Sequence, residues 1–237
     1  MRRLVIGDIH GGYRAMMQAL ERAEFDEKED MLIGLGDYAD GWPEVNKVIE
    51  YLRHLPNFEG VLGNHDDWLL NWLKRKDTPY IWTSQGGMAS IQSYQNIPKS
   101  YQKAHSEFLT LLPYYTIIDS KLFIHGGPIT TRNGIDMSRQ TEQDMMWSRE
   151  LFQDVAYSIL YSRDTEINIS PFEEVYIGHT TTQWLRDDFH PVIFQNVFML
   201  DQGGGWNGKL TVMDIDTKDY WQSDFVPSLY PEEKGRD

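Results

Sequence analysis

The 237-residue sequence predicts an α/β fold with parallel strands at its centre. Two observations support this prediction. Short apolar runs recur along the chain, and each ends in glycine or in a polar cluster, as buried strands of a layered α/β fold do. The residues between the first two runs have the spacing of a single helical face. A chain of this length can bury roughly three quarters of its unfolded surface, which is enough for a core without disulfides.

The opening of the chain predicts the order β-α-β-α-β. The first two strands are expected at residues 4–6 and 31–35, with a helix at residues 13–23 between them. Pro43 stands where a second helix can begin, because proline suits the first turn of a helix. The third strand is expected at residues 58–62. Parallel strands joined by right-handed crossovers follow from this order.

The whole chain, residues 1–237, is predicted to form one domain without repeats or linkers. Residues 67–112 are predicted to be mostly helical and rich in aromatic residues, either as an inserted cap or as outer-layer helices. Gly203, Gly204 and Gly205 are predicted to form a hairpin turn. The polar segment from Pro227 to Asp237 is predicted to fray. Further strands are expected at 122–124, 175–177, 192–194, 197–200, 210–215 and 219–221.

Composition and charge exclude several classes of function. There are 36 acidic and 22 basic residues, for a net charge of −14, which repels nucleic acid and anionic membranes, so neither is expected as a partner. The absence of cysteine excludes disulfides, thiolate metal sites and a cysteine nucleophile. No stretch resembles a signal peptide or approaches the ~20 apolar residues of a membrane span, so a cytoplasmic location is expected.

Five predicted strand ends carry glycine beside Asp, Asn or His. The motifs are Gly7-Asp8-Ile9-His10-Gly11, Gly36-Asp37-Tyr38-Ala39-Asp40-Gly41, Gly63-Asn64-His65-Asp66, His125-Gly126-Gly127 and Gly178-His179-Thr180. Because the carboxyl ends of parallel strands share one edge of a sheet, these residues can converge there. Without a cation the carboxylates would repel one another, so two divalent ions are expected, with Asp37 as the natural bridge.

Each motif taken singly has an ordinary structural interpretation. Gly-Asp after a strand is commonly a turn, and a lone histidine such as His125 is more often a structural residue. Five such elements in this order, each at a strand end, indicate chemistry instead. The oxygen and nitrogen donors suit Mn²⁺, Fe²⁺ or Zn²⁺.

As an ordered set, the motifs resemble the signature of the calcineurin-like metallophosphoesterases. The closest type is the phosphoprotein phosphatase (serine/threonine phosphatase) family, including its bacterial and phage members. The motifs span residues 7–180, and residues 201–216 resemble the closing strands of that family. The resemblance implies a four-layer α/β/β/α sandwich with a dinuclear metal centre between the sheets.

The resemblance also implies a role for each motif residue. Six side chains would bind two divalent ions, Mn²⁺ first, with Fe²⁺ or Zn²⁺ as alternatives. The implied ligands are Asp8 and His10 for the first ion, Asn64, His125 and His179 for the second, and Asp37 for both. His65 would protonate the leaving alkoxide, and Asp40 would orient it. The implied reaction is direct in-line attack of a metal-bridging hydroxide on phosphorus.

Two departures from the family pattern bear on the substrate. Gly41 stands where the family usually has an arginine that clamps phosphate oxygens. Asp66 replaces the usual glutamate and is expected to contact the metal ligands, not the metals. Arg149 resembles a phosphate-binding arginine, although a helix-surface salt bridge explains it equally well. The segment 82–87 resembles one that borders the cleft, and a helix-capping turn explains its glycines equally well.

These features predict a metal-dependent phosphoesterase that hydrolyses phosphomonoesters, with phosphoserine or phosphothreonine proteins as one substrate class. A symmetrical dinucleoside tetraphosphatase, or another nucleotide phosphoesterase, is the alternative within the same chemistry. The expected partner is therefore a phosphorylated small molecule, a nucleotide or a phosphoprotein. From a different class, a catalytically inactive metal-binding module would keep the fold and lose turnover.

Overall fold

Two five-stranded β-sheets form the centre of the protein, in a computed structural model that describes residues 1–163 and 166–236. The first sheet has the strand order β10-β9-β1-β2-β3, and the second has the order β4-β5-β6-β8-β7. The strands are β1 (Arg3–Ile6), β2 (Met31–Gly34), β3 (Phe58–Gly60), β4 (Tyr115–Ile118), β5 (Lys121–Ile124), β6 (Glu174–Ile177), β7 (Val192–Phe194), β8 (Val197–Met199), β9 (Thr211–Asp214) and β10 (Tyr220–Gln222). All the predicted strands end within two residues of the expected positions.

Helices cover the outer face of each sheet. They are α1 (Tyr13–Arg22), α2 (Val45–Leu52), α3 (Asn64–Arg75), α4 (Tyr80–Trp82), α5 (Met88–Ser93), α6 (Lys99–Leu111), α7 (Glu142–Trp147), α8 (Glu150–Leu160) and α9 (Val226–Leu229). As predicted, β1 runs parallel to β2 and β2 parallel to β3, with α1 and α2 as the connections. None of the helices in the described part of the chain has the length and apolar content that crossing a bilayer requires.

Three hydrophobic cores define the order of the layers. Leu4 and Ile6 of β1 pack with α1 and α2, whereas Val5 points to the opposite face. Val5 lies in a second core with Phe123 and Tyr176 of the other sheet, so this core lies between the sheets. A third core joins the outer face of the second sheet to α8. This alternation confirms the four-layer α/β/β/α sandwich.

The aromatic-rich helices between β3 and β4 extend the first of these cores. Trp72, Trp82 and Tyr94 are buried in the same core as α1 and α2, whereas Tyr80 is exposed. A kinked turn, Thr83–Gly87, joins α4 to α5, because Gln85 and Gly86 have non-helical dihedral angles, with a φ of +93° at Gly86. These residues therefore form part of the outer helical layer over the first sheet.

The structure differs from the prediction at one turn, and it contains one strand that was not predicted. Gly203 to Gly205 do not form a hairpin, because β8 lies in the second sheet and β9 in the first, so this loop passes between sheets. The strand β4 lies outside the predicted set. It is an edge strand that is only half-buried, so it lacks the continuous apolar run of a buried strand.

The prediction that residues 227–237 fray is also wrong at the residues that anchor this segment, Tyr230 and Arg236 among them. Val226, at the start of α9, donates its backbone N–H to the Gly208 carbonyl at 2.9 Å. Tyr230 is buried, stacks on Trp42 and donates its hydroxyl to Glu44. Polar composition does not reveal such anchors, since one aromatic ring can fix a short segment. Asp237 lies outside the described residues.

Candidate active site

The five motif loops bring their side chains together at one edge of the sandwich. Ligand atoms of Asp8, His10 and Asp37 lie within 4.8 Å of one another, and so do those of Asp37, His125 and His179. Asp37 belongs to both groups. All five residues are buried. The sequence therefore folds so that residues from four separate strand ends surround one small volume.

The two oxygens of Asp37 face different neighbours. Its Oδ2 lies 3.6 Å from Nε2 of His10, which is 4.0 Å from Oδ2 of Asp8. Its Oδ1 lies 3.2 Å from Nε2 of His125, which is 3.0 Å from Oδ1 of Asn64. Asp37 thus lies between the two groups, at the position that can be shared.

The histidines turn their Nε2 atoms toward this cluster. Nδ1 of His10 donates to the Ala39 carbonyl at 2.9 Å, and Nδ1 of His125 donates to the Leu35 carbonyl at 2.8 Å. Nε2 of His179 is buried and has no hydrogen-bond partner among the described residues. Backbone acceptors at Nδ1 fix the ring and tautomer of a metal-binding histidine. This donor set therefore fits divalent cations.

Backbone geometry helps to aim these side chains. His10, Asp37, Asp40 and His179 all have positive φ values, between 47° and 71°. Residues other than glycine adopt this region at a cost of order 1–3 kcal/mol each, and such positions cluster at functional sites. The turns at the strand ends therefore orient the side chains of the site at a cost to the stability of the loops.

The electrostatics of the cluster favour added positive charge. Burial raises the pKa of Asp8, and the carboxylate of Asp201 raises it further. Burial disfavours the charged form of His125, but the carboxylates of Asp37 and Asp8 outweigh this and raise its pKa to about 9. Asp201 is buried two residues after the end of β8 and lies outside the predicted set. Its sequence signal was weaker than that of the motifs, because Gln202 separates this acidic residue from the nearest glycine, Gly203.

His65 and Asp40 form a buried hydrogen-bonded pair beside the cluster. Nδ1 of His65 lies 2.6 Å from Oδ2 of Asp40. Ser90 Oγ and Trp82 Nε1 donate to the same carboxyl at 2.6 and 2.7 Å. Burial raises the pKa of Asp40 to about 8, although these donors oppose the rise, and burial lowers the pKa of His65 to about 3. Because Nδ1 is engaged with Asp40, Nε2 is the ring nitrogen that can exchange a proton with a substrate.

Asp66 contacts backbone and not the clustered side chains. Its Oδ1 accepts from the N–H groups of Tyr38 and Ala39 at 2.9 and 3.0 Å, and its Oδ2 accepts from Gly63 at 3.0 Å. The carboxylate thereby ties the loop after β2 to the start of α3. It positions Asp37 and Asp40 through their backbone.

Replacing Asp66 by alanine is expected to destabilise the fold. Three buried N–H groups would lose their acceptor, which costs about 3 kcal/mol in total and lowers Tm by roughly 6–12 °C. Asp67→Ala is the matched control, since among the described residues the Asp67 carboxylate accepts only from the Asn71 side chain of the same helix. Thermal unfolding of both variants measures the difference. Equal Tm values for the two variants would contradict this role of Asp66.

A cavity of about 750 Å³ opens beside the cluster. Arg149, His179, Trp184, Trp206 and Arg236 contribute to its walls. Arg149 is the N-cap residue immediately before α8, and among the described residues no carboxylate lies within ion-pair distance of it. The structure therefore places Arg149 at the cleft and not in a helix-surface pair. Arg236 lies outside the predicted site because its segment was expected to fray.

The segment 82–87 borders the site as well. Trp82 donates to Asp40, and Gln85 accepts from Arg236 at 3.3 Å. The predicted alternatives, a cleft border and a turn with glycine at a helix junction, are therefore both present. Trp68 packs its ring edge-to-face against His65 at 5.0 Å between centroids.

Comparisons with known proteins agree with this geometry. A model of the calcineurin-like phosphoesterase family matches residues 1–209. Serine/threonine-protein phosphatase 1 of Salmonella typhimurium is 26% identical over 219 residues, covering 89% of this chain and 90% of its own. A symmetrical bis(5'-nucleosyl)-tetraphosphatase of Coxiella burnetii is 39% identical over 66 residues, 28% of this chain and 23% of its own. The crystal structure of a provisionally assigned diadenosine tetraphosphatase superposes with a TM-score of 0.64 at 21% identity, covering 93% of this chain and 92% of its own, which shows a shared fold.

Proposed function

The chain belongs to the calcineurin-like phosphoesterase family and is a hydrolytic, metal-binding phosphoesterase, and from this premise we propose that it hydrolyses phosphomonoesters at a centre of two divalent ions. The observation that carries the proposal is the position of Asp37. Its two carboxylate oxygens face separate groups of nitrogen and oxygen donors, His10 with Asp8 on one side and His125 with Asn64 on the other. The alternative of an inactive metal-binding module has no support in this geometry, because no donor of the expected set is displaced from it.

Six side chains of the cluster would hold the two ions. Asp8 and His10 would bind one, Asn64, His125 and His179 the other, and Asp37 both. Bound divalent ions polarise phosphoryl oxygens and lower the pKa of water, which supplies a nucleophile at neutral pH. We propose Mn²⁺ as the resident metal, with Fe²⁺ or Zn²⁺ as alternatives, since all three accept nitrogen and oxygen ligands.

His65 would act as the general acid. The carboxyl of Asp40 holds Nδ1, so the proton on Nε2 is the one available to the leaving oxygen. Ser90 and Trp82 restrain Asp40 from two sides, so the ring cannot rotate without breaking hydrogen bonds. A fixed proton donor is what an alkoxide leaving group requires, because its departure is slow unless the oxygen is protonated.

Arg149 would bind the phosphate group of the substrate. It lines the cleft beside His179 and, among the described residues, lacks a carboxylate partner within ion-pair distance. An arginine in this setting offers a planar set of donors to phosphate oxygens. The Salmonella relative is named as a serine/threonine-protein phosphatase. We therefore propose phosphoserine or phosphothreonine groups in proteins as the first substrate class.

One observation favours a second candidate, hydrolysis of a symmetrical dinucleoside tetraphosphate. Trp184 lines the cavity and is 77% exposed, so its ring could stack on a nucleobase. The Coxiella relative is named as an enzyme of this type. Gly41 also leaves out the arginine that the family uses to clamp phosphate.

The two candidates are separated by comparing kcat/KM for a phosphoserine peptide and for a dinucleoside tetraphosphate with Mn²⁺-loaded enzyme. We expect the larger value for the peptide. Trp184→Ala should then change neither value by more than about twofold. A larger value for the dinucleotide, with KM raised about fivefold to a hundredfold by Trp184→Ala, would favour the second candidate. Tyr161→Ala removes another exposed ring, outside the cavity, and serves as the control.

A further inference from the structure

The space beside Gly41 is filled by a residue from the other end of the chain. Gly41 has a φ of +81°, and a Cβ built on it would lie 3.0 Å from Cγ of Arg236. The side chain of Arg236 therefore occupies the volume into which a side chain at position 41 would project. The two positions cannot both carry a long side chain in this arrangement.

The guanidinium of Arg236 reaches the edge of the candidate metal cluster. Its Nη1 donates to Nε2 of His10 at 3.2 Å, and its Nη2 donates to Oε1 of Gln85 at 3.3 Å. The group lies 4.6 Å above the ring of Trp206. Nε is buried without a hydrogen-bond partner, and no carboxylate among the described residues pairs with this arginine. A guanidinium has five N–H donors, so several remain for an anion.

Glycines make room for this side chain. A Cβ on Gly86 would lie 3.2 Å from Cγ of Arg236, and a Cβ on Gly205 would lie 2.8 Å from its Cδ. Together with Gly41, these residues come from three separate loops that border the methylene chain. Any larger residue at Gly205 would also collide with His10, since its Cβ would lie 2.4 Å from that ring. The loops are therefore shaped around an arginine entering from this direction.

The backbone of the 230–236 segment holds the arginine in place. The N–H of Arg236 donates to the Gly205 carbonyl at 3.0 Å. Tyr230 stacks on Trp42, with 5.2 Å between ring centroids and 21° between planes, and Trp42 donates its indole N–H to Gly204. Gly41 and Trp42 therefore both allow this segment to take its position. Gly41 leaves the space for Arg236, and Trp42 anchors Tyr230.

We propose that Arg236 is a substrate-binding residue that supplies, from the 230–236 segment, the phosphate-binding guanidinium that position 41 lacks. The ligand is the phosphate group of the substrate, held between Arg236 and Arg149, which line the same cavity. This inference rests on the proposed function. It explains why the chain departs from the family pattern at Gly41 without losing the charge that a phosphate dianion requires.

A competing role for Arg236 makes the opposite prediction. Because its Nη1 contacts His10, the guanidinium could instead occupy space that a metal ion needs. Removing it would then strengthen metal binding and raise turnover. If Arg236 binds phosphate, removing it leaves metal affinity unchanged and weakens phosphate binding.

The test measures inorganic phosphate and Mn²⁺ binding by titration calorimetry, together with KM and kcat for p-nitrophenyl phosphate. The variants are Arg236→Met and Arg236→Lys, with Arg139→Met as the control, because the Arg139 side chain is 80% exposed and its one carboxylate partner in the described part of the chain is Asp136. We expect phosphate affinity of the Mn²⁺-loaded protein to fall about tenfold to a hundredfold in Arg236→Met, with partial recovery in Arg236→Lys. The affinity for Mn²⁺ should stay within about threefold of wild type, and the control should match wild type throughout.

Three results would overturn the proposal. These are unchanged phosphate affinity in Arg236→Met, tighter Mn²⁺ binding with faster turnover in that variant, and a wild-type protein that binds no phosphate. Failure of the proposed function gives a different result. The protein would then bind phosphate through Arg236 and would hydrolyse no ester. Equal Tm values for the variants and wild type exclude a folding defect, and the milder Arg236→Lys change provides a second measurement where Arg236→Met lowers Tm.

Discussion

Replacing Asp37 by asparagine is expected to lower kcat for p-nitrophenyl phosphate by at least ~10³-fold, equivalent to about 4 kcal/mol of transition-state stabilisation. The amide keeps the size of the side chain but has one oxygen and no charge. One oxygen cannot face both groups of donors as the two carboxylate oxygens of Asp37 do. Steady-state kinetics at saturating Mn²⁺ measure this loss.

Asp67→Asn is the matched control for this change. Asp67 lies on α3, where its carboxylate accepts from Asn71, and it is outside the cluster. Removing its charge should leave kcat within about twofold of wild type, as expected for surface charges away from a site. If Asp37→Asn keeps more than a third of wild-type kcat while Asp67→Asn behaves identically, the proposed role of Asp37 is wrong.

Replacing His65 by alanine is expected to have the second largest effect, and its size should depend on the leaving group. For an alkyl phosphate, kcat should fall by roughly 10²–10⁴-fold, because the departing alkoxide loses its proton donor. For p-nitrophenyl phosphate the loss should be smaller, since nitrophenolate leaves without protonation. Plotting the rate against leaving-group pKa for wild type and variant measures this difference as a steeper slope.

His105→Ala tests whether such losses merely report damage to the fold. His105 is also buried, and it bonds to Tyr94 and Glu50, none of which belongs to a motif. The His105→Ala variant should be less stable than wild type, and its rate should depend on leaving-group pKa as the wild-type rate does. A His65→Ala variant with the same slope as wild type would contradict the assignment of His65 as the acid. Asp40→Asn should steepen the slope as His65→Ala does, though less.

The candidate metal cluster could be predicted because each of its residues directly follows a buried strand. The apolar runs before Asp8, Asp37 and His179 identify strands, and the carboxyl ends of parallel strands in one sheet share an edge, which brings Asp8 and Asp37 together. The strands β5 and β6 lie in the second sheet, so the approach of His125 and His179 depends on how the two sheets pack. The shared position of Asp37 followed from the same argument. The partners of these residues were less accessible, since Ser90 and Trp82 come from helices whose packing has no local signal.

Arg236 shows why part of the site could not be predicted. Its segment is short and polar, which is typical of a frayed end. What holds it is a stack of Tyr230 on Trp42 and a backbone bond to Gly205, contacts between residues that are distant in sequence. The missing arginine at Gly41 was visible in the sequence, but the direction from which another could enter depends on the fold. The passage of residues 203–205 between sheets was hidden for the same reason.

The measurement that tests the central claim most directly is the number of Mn²⁺ ions bound per chain, followed together with activity. Metal-free protein is titrated with Mn²⁺ and assayed with p-nitrophenyl phosphate at each point, for wild type and for Asp37→Asn. We expect wild-type activity to reach its plateau at two ions per chain, and Asp37→Asn to bind fewer ions tightly and to remain inactive. Full activity with one ion or none, or two tightly bound ions in Asp37→Asn at wild-type activity, would contradict a centre of two metals bridged by Asp37.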